Sequence, residues 1–188
     1  MNTFDIQHVP KQMAVFTTIL DDHIEFNKYL KQVILEHRQK FPDTTKSNVK
    51  AWHSSWQTHH ENPKFQPLID IVLDACKFIS AGYYEGGDIA FHVLNMWAMM
   101  YEDTEWTKRH SHFPSDFAMC YYVDVEPGCA PLVFESVQKD GVHDNNQPLT
   151  LQPQNGMLAI WPAILHHEVP PTKGRRMCIS MNIDKGRQ

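Results

Sequence analysis

Three histidines and one arginine in the second half of the chain have the types and spacing to hold a metal ion and an anion. In Arg109–Pro114 (RHSHFP), His110 and His112 stand two apart. On an extended strand, residues two apart share a face, so both imidazoles can aim into one cavity. Neutral imidazole is a good ligand for iron or zinc. The plainer reading is two part-exposed histidines beside a turn. Farther on, Ala159–Val169 reads AIWPAILHHEV. Neighbours on a strand face opposite ways, so only one of His166 and His167 points inward. Leu165, His167 and Val169 share a face and two of the three are apolar, which favours His167.

Arg176 opens the run RMCISMN. A cation entering a barrel needs an anionic partner. No carboxylate alternates into this strand, so a dicarboxylate ligand could supply the charge through a bidentate guanidinium contact. Ser180, four residues on, shares the face of Arg176 and could add a donor. Tyr122, in mid-strand in CYYVD, could give a further hydrogen bond. The alternatives are an arginine at a strand end reaching water and an ordinary core tyrosine.

These residues need a β scaffold. Met13–Ile19 reads as a short strand, and Asp21-Asp22 opens a helix through about Phe41 with apolar positions at a 3.6-residue period. Thr44–Asn62 has no clean period and reads as a loop with extended pieces. Asn62 as N-cap and Pro63 at the first helical position start a second helix running to about Gly82. Beyond Gly87, strands are expected near Ile89–Met100, Arg109–His112, Phe117–Val125, Leu132–Phe134, Leu149–Leu151, Met157–Trp161, Leu165–Val169 and Arg176–Ile183. Short strands at this spacing imply a sandwich or barrel. The polar segment Ser136–Pro148 is a candidate lid. The expectation is an α+β single domain over 1–188, with helical support over 20–84 and a β-barrel core over 87–184.

The bulk composition agrees. The chain has 188 residues, 42% hydrophobic and 21% charged, as in globular proteins. A formal charge of −5 disfavours nucleic acid and anionic membranes. No apolar run approaches the ~20 residues of a membrane helix, and no secretory signal is evident. Cys76, Cys120, Cys129 and Cys178 are scattered, as expected of free thiols in a cytoplasmic setting.

The order H-x-H, Tyr-Tyr strand, His167, then Arg176 nine positions later resembles the 2-oxoglutarate/iron(II) oxygenase superfamily. It looks closest to compact prolyl-hydroxylase-like members of bacterial and tailed-phage type, which would mean a host cytoplasm if phage-encoded. His167–Ser180 (HEVPPTKGRRMCIS) resembles the distal-histidine and arginine strand of hypoxia-type prolyl hydroxylases. Ala51–Leu68 and Asn95–Ala98 look like the phage subgroup. The resemblance implies a double-stranded β-helix (a jelly roll, cupin-like barrel) with the N-terminal helices packed on one sheet. It implies Fe(II) held by His110 and His167, and 2-oxoglutarate held by Arg176 with Tyr122 and Ser180. The usual motif is His-x-Asp or His-x-Glu, whereas here the third position is His112. The third ligand is therefore His112, or Asp116, or a vacancy filled by water or halide.

The implied reaction is hydroxylation of an unactivated C–H bond, with dioxygen consumed and succinate and CO2 released. The substrate is a small molecule or a protein side chain, in a groove for which Trp97, Tyr101, Trp106 and the Ser136–Pro148 segment are candidates. Two other readings stand beside it: a three-histidine cupin-like metalloprotein without 2-oxoglutarate, and a non-catalytic binding module. Oligomeric state is not readable.

Overall fold

A computed structural model describes residues 13–41, 46–83, 89–135 and 148–186. The order is β1 (Phe16–Ile19), α1 (His23–Lys40), β2 (Val49–Lys50), β3 (Trp52–His53), α2 (Thr58–Glu61), a 3-10 turn (Pro63–Phe65) and α3 (Gln66–Tyr83). Then follow β4 (Phe91–Tyr101), β5 (Trp106–His110), β6 (Phe117–Val125), β7 (Leu132–Phe134), β8 (Leu149–Leu151), β9 (Met157–Pro162), β10 (His167–Val169) and β11 (Arg176–Lys185).

The strands form two sheets, β1-β9-β6-β11-β4-β3 and β2-β5-β10-β7-β8, whose ladders are antiparallel. This is the expected jelly roll. Alternation along the strands divides the core in two. On one face of the six-stranded sheet, Met119, Tyr121, Ile179 and Met181 pack with Leu30, Val33 and Ile34 of α1 and Leu68, Val72 and Cys76 of α3. Those helix positions recur every three or four residues, so each helix buries one stripe on the sheet. On the other face, Ala118, Cys120, Tyr122 and Cys178 meet Leu132, Phe134 and Val169 of the smaller sheet. The second layer contains the site.

Three local expectations need correction. The strand expected over Arg109–His112 ends at His110, and His112 lies in the following turn, where its N–H donates to the Ala163 carbonyl at 2.8 Å. The second helix is preceded by the 3-10 turn at Pro63–Phe65, because the Asn62 side chain accepts from the Lys64 N–H and tightens the entry. The aperiodic stretch before it has the expected extended pieces, β2 and β3, but also the short helix α2. Two-residue strands are too short for a period to show. The lid candidate falls almost wholly outside the described residues. No described helix is long and apolar enough to cross a membrane.

Candidate metal centre

β5 and β10 are neighbours, and their register sets His110 directly opposite His167. His112 arrives from the turn rather than from the strand. One ring nitrogen from each of the three lies within 4.8 Å of the others. His112 Nε2 is 3.2 Å from His167 Nε2. The Nδ1 atoms of His110 and His167 lie 2.8 Å and 3.1 Å from the Lys108 and Leu165 carbonyls. With Nδ1–H donating to a carbonyl, each ring carries its lone pair on Nε2, the tautomer a metal ligand needs. Trp161 packs edge-on against His167 and limits its swing.

Burial, then the neighbouring imidazoles, lower the pKa of His167 well below its ordinary value. Burial and His110 push His112 down to about 3, and burial lowers His110 as well. The cluster therefore holds three neutral donors at physiological pH. Asp116 does not join them. Its carboxylate accepts from the Lys185 N–H at 2.9 Å and pairs loosely with the Lys185 ammonium.

The three histidines line a cleft of roughly 550 Å³, open solvent at its mouth included, which runs inward to Arg176. Arg176 is 2% exposed. Its guanidinium carbon lies 4.9 Å from the Tyr101 ring centre and 5.1 Å from that of Tyr122. Nη1 donates to the Ala130 carbonyl at 3.1 Å, while Nε has no partner. The Trp161 indole N–H also lacks one, and the Tyr122 hydroxyl makes no well-formed hydrogen bond, though it touches the Cys120 thiol. Among the described residues no carboxylate lines this cleft. A buried cation with unused donors and no protein anion is complementary to a carboxylate brought in from outside. Ser180 also lines the cleft.

The substrate candidates separate. Trp97 lies in the cleft, its ring 5.6 Å from that of His112. Tyr101 lines the same cleft at its inner end, stacked on Arg176 and sharing a 2.6 Å hydrogen bond with Thr107. Trp106 is not among the lining residues; Lys108 covers its ring. Lys46, His53, Thr107 and Trp161 line the cleft without having been singled out from sequence. His53 had a faint signal, as a histidine next to Trp52 in AWHSSW; the others had none. A neighbouring outer groove, lined by Trp56, Leu94, Asn95, Phe113 and Asn182, reaches His110 and His112 from the solvent side.

Residues 95–182 match the family model described as "Putative 2OG-Fe(II) oxygenase". They run from β4 to β11 and include all three histidines, Tyr122 and Arg176. No curated protein matches the chain in sequence. Among solved structures, a Pseudomonas putida prolyl-4-hydroxylase is similar at TM-score 0.68 and 11% identity, covering 93% of this chain and 94% of that one. A Trichoplax adhaerens prolyl hydroxylase, solved with a hypoxia-inducible-factor peptide fragment, gives 0.63 and 15%, covering 92% and 83%. The viral collagen prolyl hydroxylase of Paramecium Bursaria Chlorella virus-1, a 2OG complex, gives 0.58 and 12%, covering 89% and 94%. At these identities the structures establish the shared fold.

Proposed function

We infer that this chain is a non-haem Fe(II), 2-oxoglutarate-dependent oxygenase that hydroxylates an unactivated C–H bond. The observation that carries this reading is a cleft with three convergent neutral imidazoles at one end and, at the other, a buried Arg176 with no carboxylate beside it among the described residues. His110, His112 and His167 would hold the iron. Arg176, with Tyr122 and Ser180, would hold the far carboxylate of 2-oxoglutarate. When bound, iron(II) supplies the redox chemistry that couples oxidative decarboxylation of 2-oxoglutarate by dioxygen to oxygen insertion into the substrate.

The chain's own contribution is positioning and charge. Three imidazoles bring no negative charge to a divalent ion, where the usual site has one carboxylate. The dianionic cosubstrate then supplies all the local compensation. Arg176 fixes the dicarboxylate by a paired contact in a dry pocket, where such contacts are strongest. The Tyr101 and Tyr122 rings hold the guanidinium between them, and Thr107 holds Tyr101. Trp161 and Phe134 pack against His167 and exclude water from the metal end. The substrate, a small molecule or a protein side chain, would approach along the outer groove past Trp56, Trp97 and Phe113. Four free cysteines suit a reducing, cytoplasmic setting.

The test is anaerobic reconstitution with Fe(II), followed by 2-oxoglutarate and oxygen. Stoichiometric metal and succinate with CO2 are expected. Stoichiometric metal with no 2-oxoglutarate binding would instead support a three-histidine metalloprotein of another kind. Neither metal nor 2-oxoglutarate binding would leave only a binding module.

A further inference from the structure

Two cysteines on the floor of the cleft have no part in that chemistry. Cys120 lies on β6 and Cys178 on β11, both buried, both reduced and both lining the cleft. Cys178 is paired with Tyr122 and Cys120 with Ser180, so the two thiols lie diagonally on one face of adjacent strands. With Arg176 two residues before Cys178 on the same face of β11, both thiols share the floor of the cleft with the guanidinium, and both feel its charge. Among the described residues, the titratable groups acting on the guanidinium are Cys178 on its own strand, Cys120 and Tyr122 from β6, Tyr101 from β4, and Cys129 from the turn after β6. None is a carboxylate.

Arg176 cannot shed its proton, so before any dicarboxylate arrives its charge is buried without a carboxylate partner among the described residues, which is costly. The groups around it differ in how readily they become anions. Free thiols ionise near pH 8.5 and phenols near pH 10. Burial raises both tyrosines further. For Cys120, burial opposes ionisation, but the Cys178 thiol, the Arg176 charge and the Ser180 hydroxyl outweigh it and bring its pKa down. Cys178 moves the other way, because it is the donor in the pair.

We propose that the Cys120–Cys178 pair, carrying one negative charge, is the internal counter-ion of Arg176 in the cosubstrate-free protein, and that the far carboxylate of 2-oxoglutarate displaces that charge. The exchange is an acid–base step: the carboxylate takes the guanidinium, the thiolate takes one proton from solvent, and no bond to sulfur forms. This rests on the reading of Arg176 as the cosubstrate anchor. Two consequences follow. Binding consumes a proton, so affinity for 2-oxoglutarate falls as the thiol becomes ionised. And the open site exposes a nucleophilic sulfur to small electrophiles until 2-oxoglutarate covers it.

The experiment uses the full chain loaded with Mn(II) under nitrogen, in buffers free of carboxylate and phosphate. Calorimetric titration with 2-oxoglutarate in buffers of different ionisation enthalpy reads proton uptake directly. About one proton per site is expected above neutrality, with affinity falling up to about tenfold per pH unit between about pH 7 and about pH 9. The Cys120→Ser/Cys178→Ser variant should bind with no such slope, and iodoacetamide should label Cys120 in the wild type unless 2-oxoglutarate is present. Binding with no proton uptake in the wild type overturns the proposal, and so does a slope retained in the double variant. No 2-oxoglutarate binding at any pH would strike the oxygenase reading instead.

Discussion

Removing a metal ligand and removing the anion anchor should produce opposite signatures. His167→Ala leaves two imidazoles and is expected to abolish stoichiometric iron, measured by metal analysis after anaerobic desalting. Arg176→Met keeps the buried volume but removes the charge. It should weaken 2-oxoglutarate about a hundredfold or more while iron is retained, since losing one partner of a desolvated charge pair costs about 2–5 kcal/mol. His112→Ala should release iron, whereas Asp116→Ala should keep it and lose only the contacts to Lys185. The reverse pattern would move the third ligand to Asp116. Away from the three ligands, a further buried histidine contributes to acid stability. His53 is buried against Trp97, and burial, partly offset by its contact with the Ser54 carbonyl, lowers its pKa to about 4. Its folded pKa lies below its unfolded value, so it favours folding fully above about pH 6.5. That contribution, at most about 3 kcal/mol, is lost as pH falls towards 4. Urea unfolding across this window should show a shallower pH dependence in His53→Gln than in the wild type.

Among the elements, β11 does two jobs through strict alternation. Arg176, Cys178 and Ser180 face the cleft, while Met177, Ile179 and Met181 face the helices. Ile179→Ala should therefore cost about 2–4 kcal/mol in chemical denaturation, with the 2-oxoglutarate affinity of the folded protein close to the wild-type value. A large loss of affinity would mean that the two faces are coupled. This alternation was legible beforehand, because a period of two needs no knowledge of the partner strands. The same rule placed His167 inward and His166 outward, matching their burial. It misplaced His112. Two residues apart on a strand is one route to a shared cavity, but here the chain leaves the ladder at His110, and a turn pinned to Ala163 brings the second ring round.

For the whole molecule, the site lies between sheets that only meet once the barrel closes. Anything bound there should clamp both. Mn(II) with 2-oxoglutarate, each about a hundredfold above its dissociation constant, should stabilise the fold by about 3 kcal/mol or more. For a chain this size that raises Tm by roughly 5–10 °C, and a chelator should reverse it. No shift would mean the histidines and Arg176 do not share a ligand. The sequence by itself determined the helices-then-strands order, the inward faces of the long strands, and the set from which ligands and anchor are drawn, because those depend on local periodicity and residue type. Only the tertiary structure decided that Asp116 turns to Lys185, that Tyr101 belongs to Arg176, that Trp161 borders the metal site, and that two thiols lie beside a guanidinium without a carboxylate. Those depend on which distant strands become neighbours and in what register, and a shift of one residue would send every one of those side chains to the opposite face.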